Sequence, residues 1–126
     1  MITFGEIFYC EKVLLNRNGS PREFINRFKN MHAESYPFLF GFSVVVNIIF
    51  SKKLRHWLFI RIRGSTGKII FEGARQHIES NTPLQPNAEI RVIFTLENVE
   101  FPQPDDYTLY ILLDNAVMNQ DLLSFI

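Results

Sequence analysis

The clearest pattern in the chain is an alternation between Phe38 and Phe50. Phe38, Phe40, Phe42, Val44, Val46, Ile48 and Phe50 fill the even positions, while Gly41, Ser43 and Asn47 interrupt the odd ones. Successive side chains of a strand point to opposite faces, so a period of two predicts a strand with one face in a core. The same period recurs in His56 to Arg63, where Leu58, Ile60 and Ile62 share one face and Trp57, Phe59, Arg61 and Arg63 the other. It recurs again in Ala88 to Glu97, with Ile90, Val92, Phe94 and Leu96 inward, and in Tyr107 to Leu113. Apolar runs here are short, rich in β-branched and aromatic residues, and separated by Gly, Pro, Asn and Asp, which favours strands over helices.

The remaining segments fit the same scheme. A first strand, Thr3 to Leu15, ends at Asn16-Arg17-Asn18-Gly19-Ser20-Pro21, which has strong turn chemistry. Glu23 to Lys29 alternates, with Phe24, Asn26 and Phe28 on one face; one or two helical turns are the other reading of it. Asn30 to Pro37 is polar enough for a loop. Gly64-Ser65-Thr66-Gly67 joins His56–Arg63 to Lys68–Glu79 as a hairpin, Pro83 to Asn87 breaks the chain, and Val117 to Phe125 is the last strand. About seven or eight strands at a spacing of roughly ten residues predict an all-β, antiparallel β-sandwich, immunoglobulin-like or C2-like. No repeat or linker divides it, so residues 1–126 are read as a single domain.

Composition adds to this picture. Of 126 residues, 47% are hydrophobic and 13 are Phe, set against one Trp and four Tyr, so the core is expected to be built on Phe. Cys10 is the only cysteine, which excludes an intramolecular disulfide and removes any need for an oxidising compartment. The N-terminal residues lack a basic segment, and Glu6 and Glu11 interrupt their apolar positions, which does not fit a secretory signal. The longest apolar stretch is too short and too polar for a membrane-spanning helix, which needs about 20 apolar residues. The cytoplasm is the default compartment.

Several segments together resemble an uncharacterised family of small bacterial and phage proteins. They are Phe8-Tyr9-Cys10-Glu11-Lys12-Val13, Gly19-Ser20-Pro21, Phe24-Ile25-Asn26-Arg27-Phe28, Phe42 to Phe50, His56 to Arg63, and Gly67-Lys68-Ile69-Ile70. Asn98-Val99-Glu100-Phe101-Pro102, Tyr107 and Leu113-Asp114-Asn115 extend the similarity over nearly the whole chain. The resemblance implies a β-sandwich and carries no assigned activity, so it transfers no catalytic residue.

Candidate chemistry is sparse. Cys10 shares its parity with Phe4, Phe8 and Leu14, so it reads as an interior thiol with a raised pKa and no reactivity. His32 with Glu34 and His77 with Glu79 form His-x-Glu pairs, which could supply half of a metal site. Neither pair sits among further ligands, so both read as surface residues and no metal or cofactor is expected. Gly64-Ser65-Thr66-Gly67 lacks the spacing of a phosphate-binding loop, and no Gly-x-Ser-x-Gly elbow is present.

Charge order is more informative than net charge. The totals cancel at 13 bases and 13 acids. Yet Lys52, Lys53, Arg55, Arg61, Arg63, Lys68 and Arg75 crowd residues 52–75 against Glu72 alone, while residues 76–126 carry eight acids and Arg91. The basic hairpin also bears Trp57 and Phe59, which are expected to be exposed beside Arg61 and Arg63. Arginine and aromatic side chains on one strand face suit either a protein interface or a single-stranded nucleic acid. The favoured function is a non-enzymatic protein-interaction or accessory module, with a partner that is a protein (itself or another), acting through Trp57, Phe59, Arg61, Arg63, Lys52, Lys53 and Arg55. Binding of nucleic acid or another polyanion through 52–75 is the alternative, and an enzyme ranks last.

Overall fold

The computed structural model describes residues 2–50, 54–80 and 88–126, and these are all-β. Ten strands run in chain order: β1 (Ile2–Leu15), β2 (Pro21–Phe28), β3 (Asn30–Met31), β4 (Phe38–Phe50), β5 (Leu54–Arg63), β6 (Ile69–Glu72), β7 (Gln76–Ser80), β8 (Ala88–Phe101), β9 (Asp105–Leu113) and β10 (Ala116–Phe125). One sheet has the order β2-β1-β4-β8 and is antiparallel throughout. The other has the order β3-β10-β9-β5-β6, with β7 also beside β5. It is mixed, because β3 runs parallel to β10. No helix among the described residues is long and apolar enough to cross a membrane.

The even positions of β4 (Phe42, Val44, Val46, Ile48) meet Leu58, Ile60 and Ile62 of β5 and Leu109, Ile111 and Leu113 of β9 in one buried cluster between the sheets. Six of the 13 Phe residues, Phe28, Phe38, Phe40, Phe42, Phe101 and Phe125, form one connected set of rings at one end of this core. Phe38, Phe40 and Phe42 stack in series along β4, with ring centroids 5.6 and 5.4 Å apart. Phe101 of β8 stacks on Phe125 of β10 at 3.8 Å, and Tyr107 meets both edge-on. Offset and edge-on pairs suit the ring quadrupoles, so this end is specified by geometry as well as by area. Tyr107, at the entry to β9, donates its hydroxyl to the Gln103 carbonyl at 2.5 Å, which fixes the corner through Pro102 and Pro104. Across the two sheets, Tyr9 of β1 donates to Asp121 of β10 at 2.9 Å, and Lys29 lies 3.6 Å from the other Asp121 oxygen. Burial, and secondarily the Asp121 charge, push the Tyr9 phenol far above its ordinary range.

Three irregularities change which face a residue occupies. The β1–β4 register shifts between Phe4 and Ile7. Phe4 and Tyr9 therefore both pack on the inter-sheet core, while Phe8 and Cys10 turn outward. At Asn26, with φ 54°, the side chain donates to Glu11, and Phe24 and Val13 pack outside the sheet although Phe28 packs inside. In β8 an extra residue at Asn98, φ 53°, separates Leu96 from Val99, and both still point into the core.

Several expectations change accordingly. Cys10 is fully buried and free, but it sits in a second cluster with Phe8 and Val45, covered by Phe24, rather than between the sheets. The middle of the odd face of β4 is also covered: Ser43, Val45 and Asn47 are all buried, while Leu39 stays exposed. Phe24 and Phe28 do not share a face. The expected strand Lys68–Glu79 is two short strands on the same edge of β5, parted where Gly73 N–H donates to the Ile60 carbonyl at 2.8 Å. The expected loop 30–37 contains β3.

Candidate interaction surface

The outer face of the six-stranded sheet is built by residues that alternate with the core positions of β5, β9 and β10. Pairing places Phe59 beside Leu112 and Leu112 beside Val117; it places Arg61 beside Tyr110, and Arg63 beside Thr108. Trp57 is 47% exposed, whereas Phe59 is only 3% exposed, which corrects the expectation that both aromatics face solvent. The reason is local. The Arg75 and Arg61 guanidinium groups lie 5.3 and 5.7 Å from the Phe59 ring centroid, and Leu112 is buried beside it. Long arginine stems lie over apolar surface while their charged ends stay wet.

The guanidinium groups on this face have partners within the chain. Arg61 Nε donates to Glu72 at 3.2 Å, Arg75 donates to the Asn115 side chain at 2.7 Å, and Arg63 donates to the Gly67 carbonyl at 2.9 Å. Arg63 also lies 6.0 Å from the Tyr110 ring centroid. Of the basic residues singled out from the sequence, Lys52 and Lys53 lie outside the described residues, and of Arg55 only the backbone is described. The structure thus brings Trp57, Phe59, Arg61 and Arg63 onto one face as expected, with Phe59 as a support beneath it.

The upper end of this face is fastened by the β9–β10 turn. Asp114 and Asn115 take left-handed conformations, φ 49° and 72°, which Asn and Asp tolerate better than most residues. Asp114 Oδ1 accepts the Trp57 N–H at 3.0 Å, Asp114 N–H donates to the Trp57 carbonyl at 2.9 Å, and His56 Nδ1 lies 2.5 Å from Asp114 Oδ2. The Trp57 N–H and then His56 hold the Asp114 carboxyl below its ordinary value. Trp57 is set against His77, with ring centroids 4.8 Å apart. At the lower end, Asp105 accepts the backbone and hydroxyl of Ser65. Its slight burial acts to raise its pKa, but these bonds outweigh it and the net direction is down.

The sequence pattern did not single out Val117, Met118 and Leu122, which are 53%, 44% and 54% exposed on or beside this face. In β10 both parities mix apolar and polar residues, and the register shift between Val117 and Asn119 hides the face from a strict period of two. The other candidates lie elsewhere. His32 and Glu34 are exposed, the Glu79 side chain is not described, and no three His, Cys, Asp or Glu side chains converge as a metal site among the described residues. Burial pushes the Cys10 thiol up, against a smaller opposing effect of Arg27.

Fold and surface define an all-β domain of two packed sheets. The chain belongs to a family of unknown function (DUF6941), whose model matches residues 7–124. No curated protein matches the sequence. Among solved structures, the chain is similar to the alkylpurine DNA glycosylase AlkC of Pseudomonas fluorescens, solved bound to DNA containing an abasic site analog. The TM-score is 0.54 at 8% identity, over 98% of this chain and 30% of that one. It is also similar to a β-glucosidase from Listeria innocua in complex with isofagomine, with a TM-score of 0.51 at 9% identity, over 99% of this chain and 16% of that one. The chain therefore spans under a third of each, and at such identities the likeness concerns the fold.

Proposed function

We propose that this domain is a non-enzymatic protein-interaction module and that the outer face of the six-stranded sheet is its contact surface. One observation carries the reading: a half-exposed Trp57, set against His77, shares its strand face with buried Phe59, which is paired through buried Leu112 to exposed Val117. Interface centres favour aromatic anchors that lose little conformational entropy on docking. The internal partners of Arg61, Arg63 and Arg75 weigh against the polyanion reading, because a phosphate would have to compete with acceptors already in place. For Cys10, burial and a raised pKa favour a structural thiol over a nucleophile. A free thiol also suits a reducing compartment such as the cytoplasm. For the fold, the immunoglobulin-like type is favoured by the β1-β4-β8 and β10-β9-β5-β6 groupings and by the Tyr107 corner before β9.

The test uses a photoreactive residue at Val117 and, as a control, at Asn18 in the β1–β2 turn. Protein adducts from position 117 and none from position 18 are expected in the native cell. Trp57 is the chain's single tryptophan, so its emission also reports directly on this face. Titration with a single-stranded oligonucleotide at low salt, where phosphate contacts are strongest, should leave that emission unchanged. An emission change that salt abolishes, with no protein adducts, would establish the polyanion reading instead.

A further inference from the structure

The open edge of β10 has a definite extent. Asn30 and Met31 of β3 lie beside Ser124 and Phe125 only. Ser124 N–H donates to the Lys29 carbonyl at 3.4 Å, and Ile126 N–H to the Met31 carbonyl at 2.9 Å. Backbone groups alternate between the two edges of a strand. Since Ser124 and Ile126 face β3, Gln120 and Leu122 direct their N–H and C=O groups to the same side, beyond the reach of β3. Gln120 N–H is held off the β9 ladder by the side-chain oxygen of its own neighbour Asn119, at 2.9 Å, a bond within one chain that a partner strand would replace. Among the described residues, no strand pairs with this side of β10 before Ser124. Met118 and Leu122, both well exposed, flank Gln120.

We infer that this edge is a self-association surface, on which two copies join antiparallel through β10 with Gln120 facing the partner's Gln120 across a two-fold axis. Register follows from the side chains. With Gln120 at the axis, Met118 lies opposite the partner's Leu122, and Asn119 lies opposite the partner's Asp121, to which its amide can donate. Moving the pairing one step toward the chain end sets Asp121 against the partner's Asp121, and like charges directly opposed destabilise a strand pair. Moving it one step the other way sets Gln120 against the partner's Met118 and Leu122 against the partner's Ala116, whose single methyl group buries less apolar surface than Met118 does. The ends agree as well: in the chosen register the partner's Ala116 reaches the level of Ser124, where β3 already sits, so the new ladder spans 118–122. A strand that is self-complementary in one register suits a second copy better than an unrelated peptide. The inference shares with the sheet-face reading the premise that the partner is protein and the exposed residues Met118 and Leu122, which lie on or beside that face.

Gln120 at the axis makes the test specific. The full chain is sedimented from micromolar to millimolar concentration as wild type, as Gln120→Lys, as Gln120→Glu, and as an equimolar mixture of the two variants. Gln120 is exposed and its N–H lies off the β9 ladder, so circular dichroism should show both variants folded. Wild type should dimerise reversibly, each variant alone should bind itself roughly fivefold or more weakly, and the mixture should recover wild-type affinity. A wild-type chain that stays monomeric to millimolar concentration, or variants that dimerise like wild type, would overturn the inference. Variants that weaken without complementing each other overturn it too. Photo-adducts at Val117 to other proteins in Gln120→Lys would leave the sheet-face reading standing alone.

Discussion

Replacing Phe125 by Ala removes the ring on which the aromatic end of the core closes. Phe125 is fully buried; its ring stacks on Phe101 at 3.8 Å and lies 5.8, 6.1 and 6.3 Å from Tyr107, Phe38 and Phe40. A Phe→Ala change in a packed core costs about 3–5 kcal/mol, the sum of lost burial and residual cavity. The four surrounding rings are braced in pairs, Phe38 on Phe40 and Phe101 on Tyr107, and cannot collapse into the space, so the upper half of that range applies. A domain of this kind is stable by about 5–15 kcal/mol, so the variant should fold with little margin. With a urea m-value of about 1.5 kcal/mol/M, a loss of about 4 kcal/mol lowers the midpoint by roughly 2.5 M. The assay is urea unfolding followed by Trp57 emission and far-ultraviolet circular dichroism. Ile126→Ala, whose side chain is 63% exposed, should move the midpoint by no more than about 0.5 kcal/mol equivalent. A shift below roughly 0.5 M for Phe125→Ala would refute the placement of β10 as a core strand.

Three further outcomes follow from the same structure. Phe59→Ala should destabilise by about 3 kcal/mol, whereas Trp57→Ala should cost about 1 kcal/mol or less; equal costs in thermal unfolding would contradict the division into support and contact residue. Cys10 should react with a thiol reagent only as fast as the chain opens, because it is buried and its thiol is held protonated; rapid stoichiometric labelling of native protein would contradict that. The Asp114 carboxyl is depressed, so the unfolded chain binds its proton more tightly than the native one. Its contribution is therefore present above the ordinary value of 3.8 and fades as pH falls through the lower folded value. Asp114→Asn should accordingly flatten the acid limb of stability against pH, and an unchanged limb would show that the Trp57 and His56 contacts contribute nothing.

Much of the layered core is legible in the alternation of β4, β5 and β9, because a strand's side-chain period is fixed by its backbone. Phe42, Val44, Val46, Leu58, Ile60, Ile62, Leu109 and Ile111 all lie where a period of two places them. The period fails at β1, β2, β8 and β10, where one extra residue or one left-handed Asn moves the following side chains to the other face. Such a bulge leaves little trace in composition, so Cys10, Phe24 and Val117 could not be assigned from spacing. Phe59 shows a different limit. Its parity was right, but its burial comes from neighbours that the strand period does not show: Arg61, Leu112 of β9, and Arg75 from the segment after β6, 16 positions along the chain.

The sequence by itself determined an all-β chain, its main core faces, and a strand face carrying Trp57, Arg61 and Arg63. These are consequences of local backbone geometry and side-chain polarity. Only the tertiary structure decided that Phe59 is a support, that the arginines are engaged at home, and that β10 is covered by β3 at its end and, among the described residues, unpaired on that side before it. Those depend on which strands become neighbours, and neighbours are set by the closing of two sheets around one core.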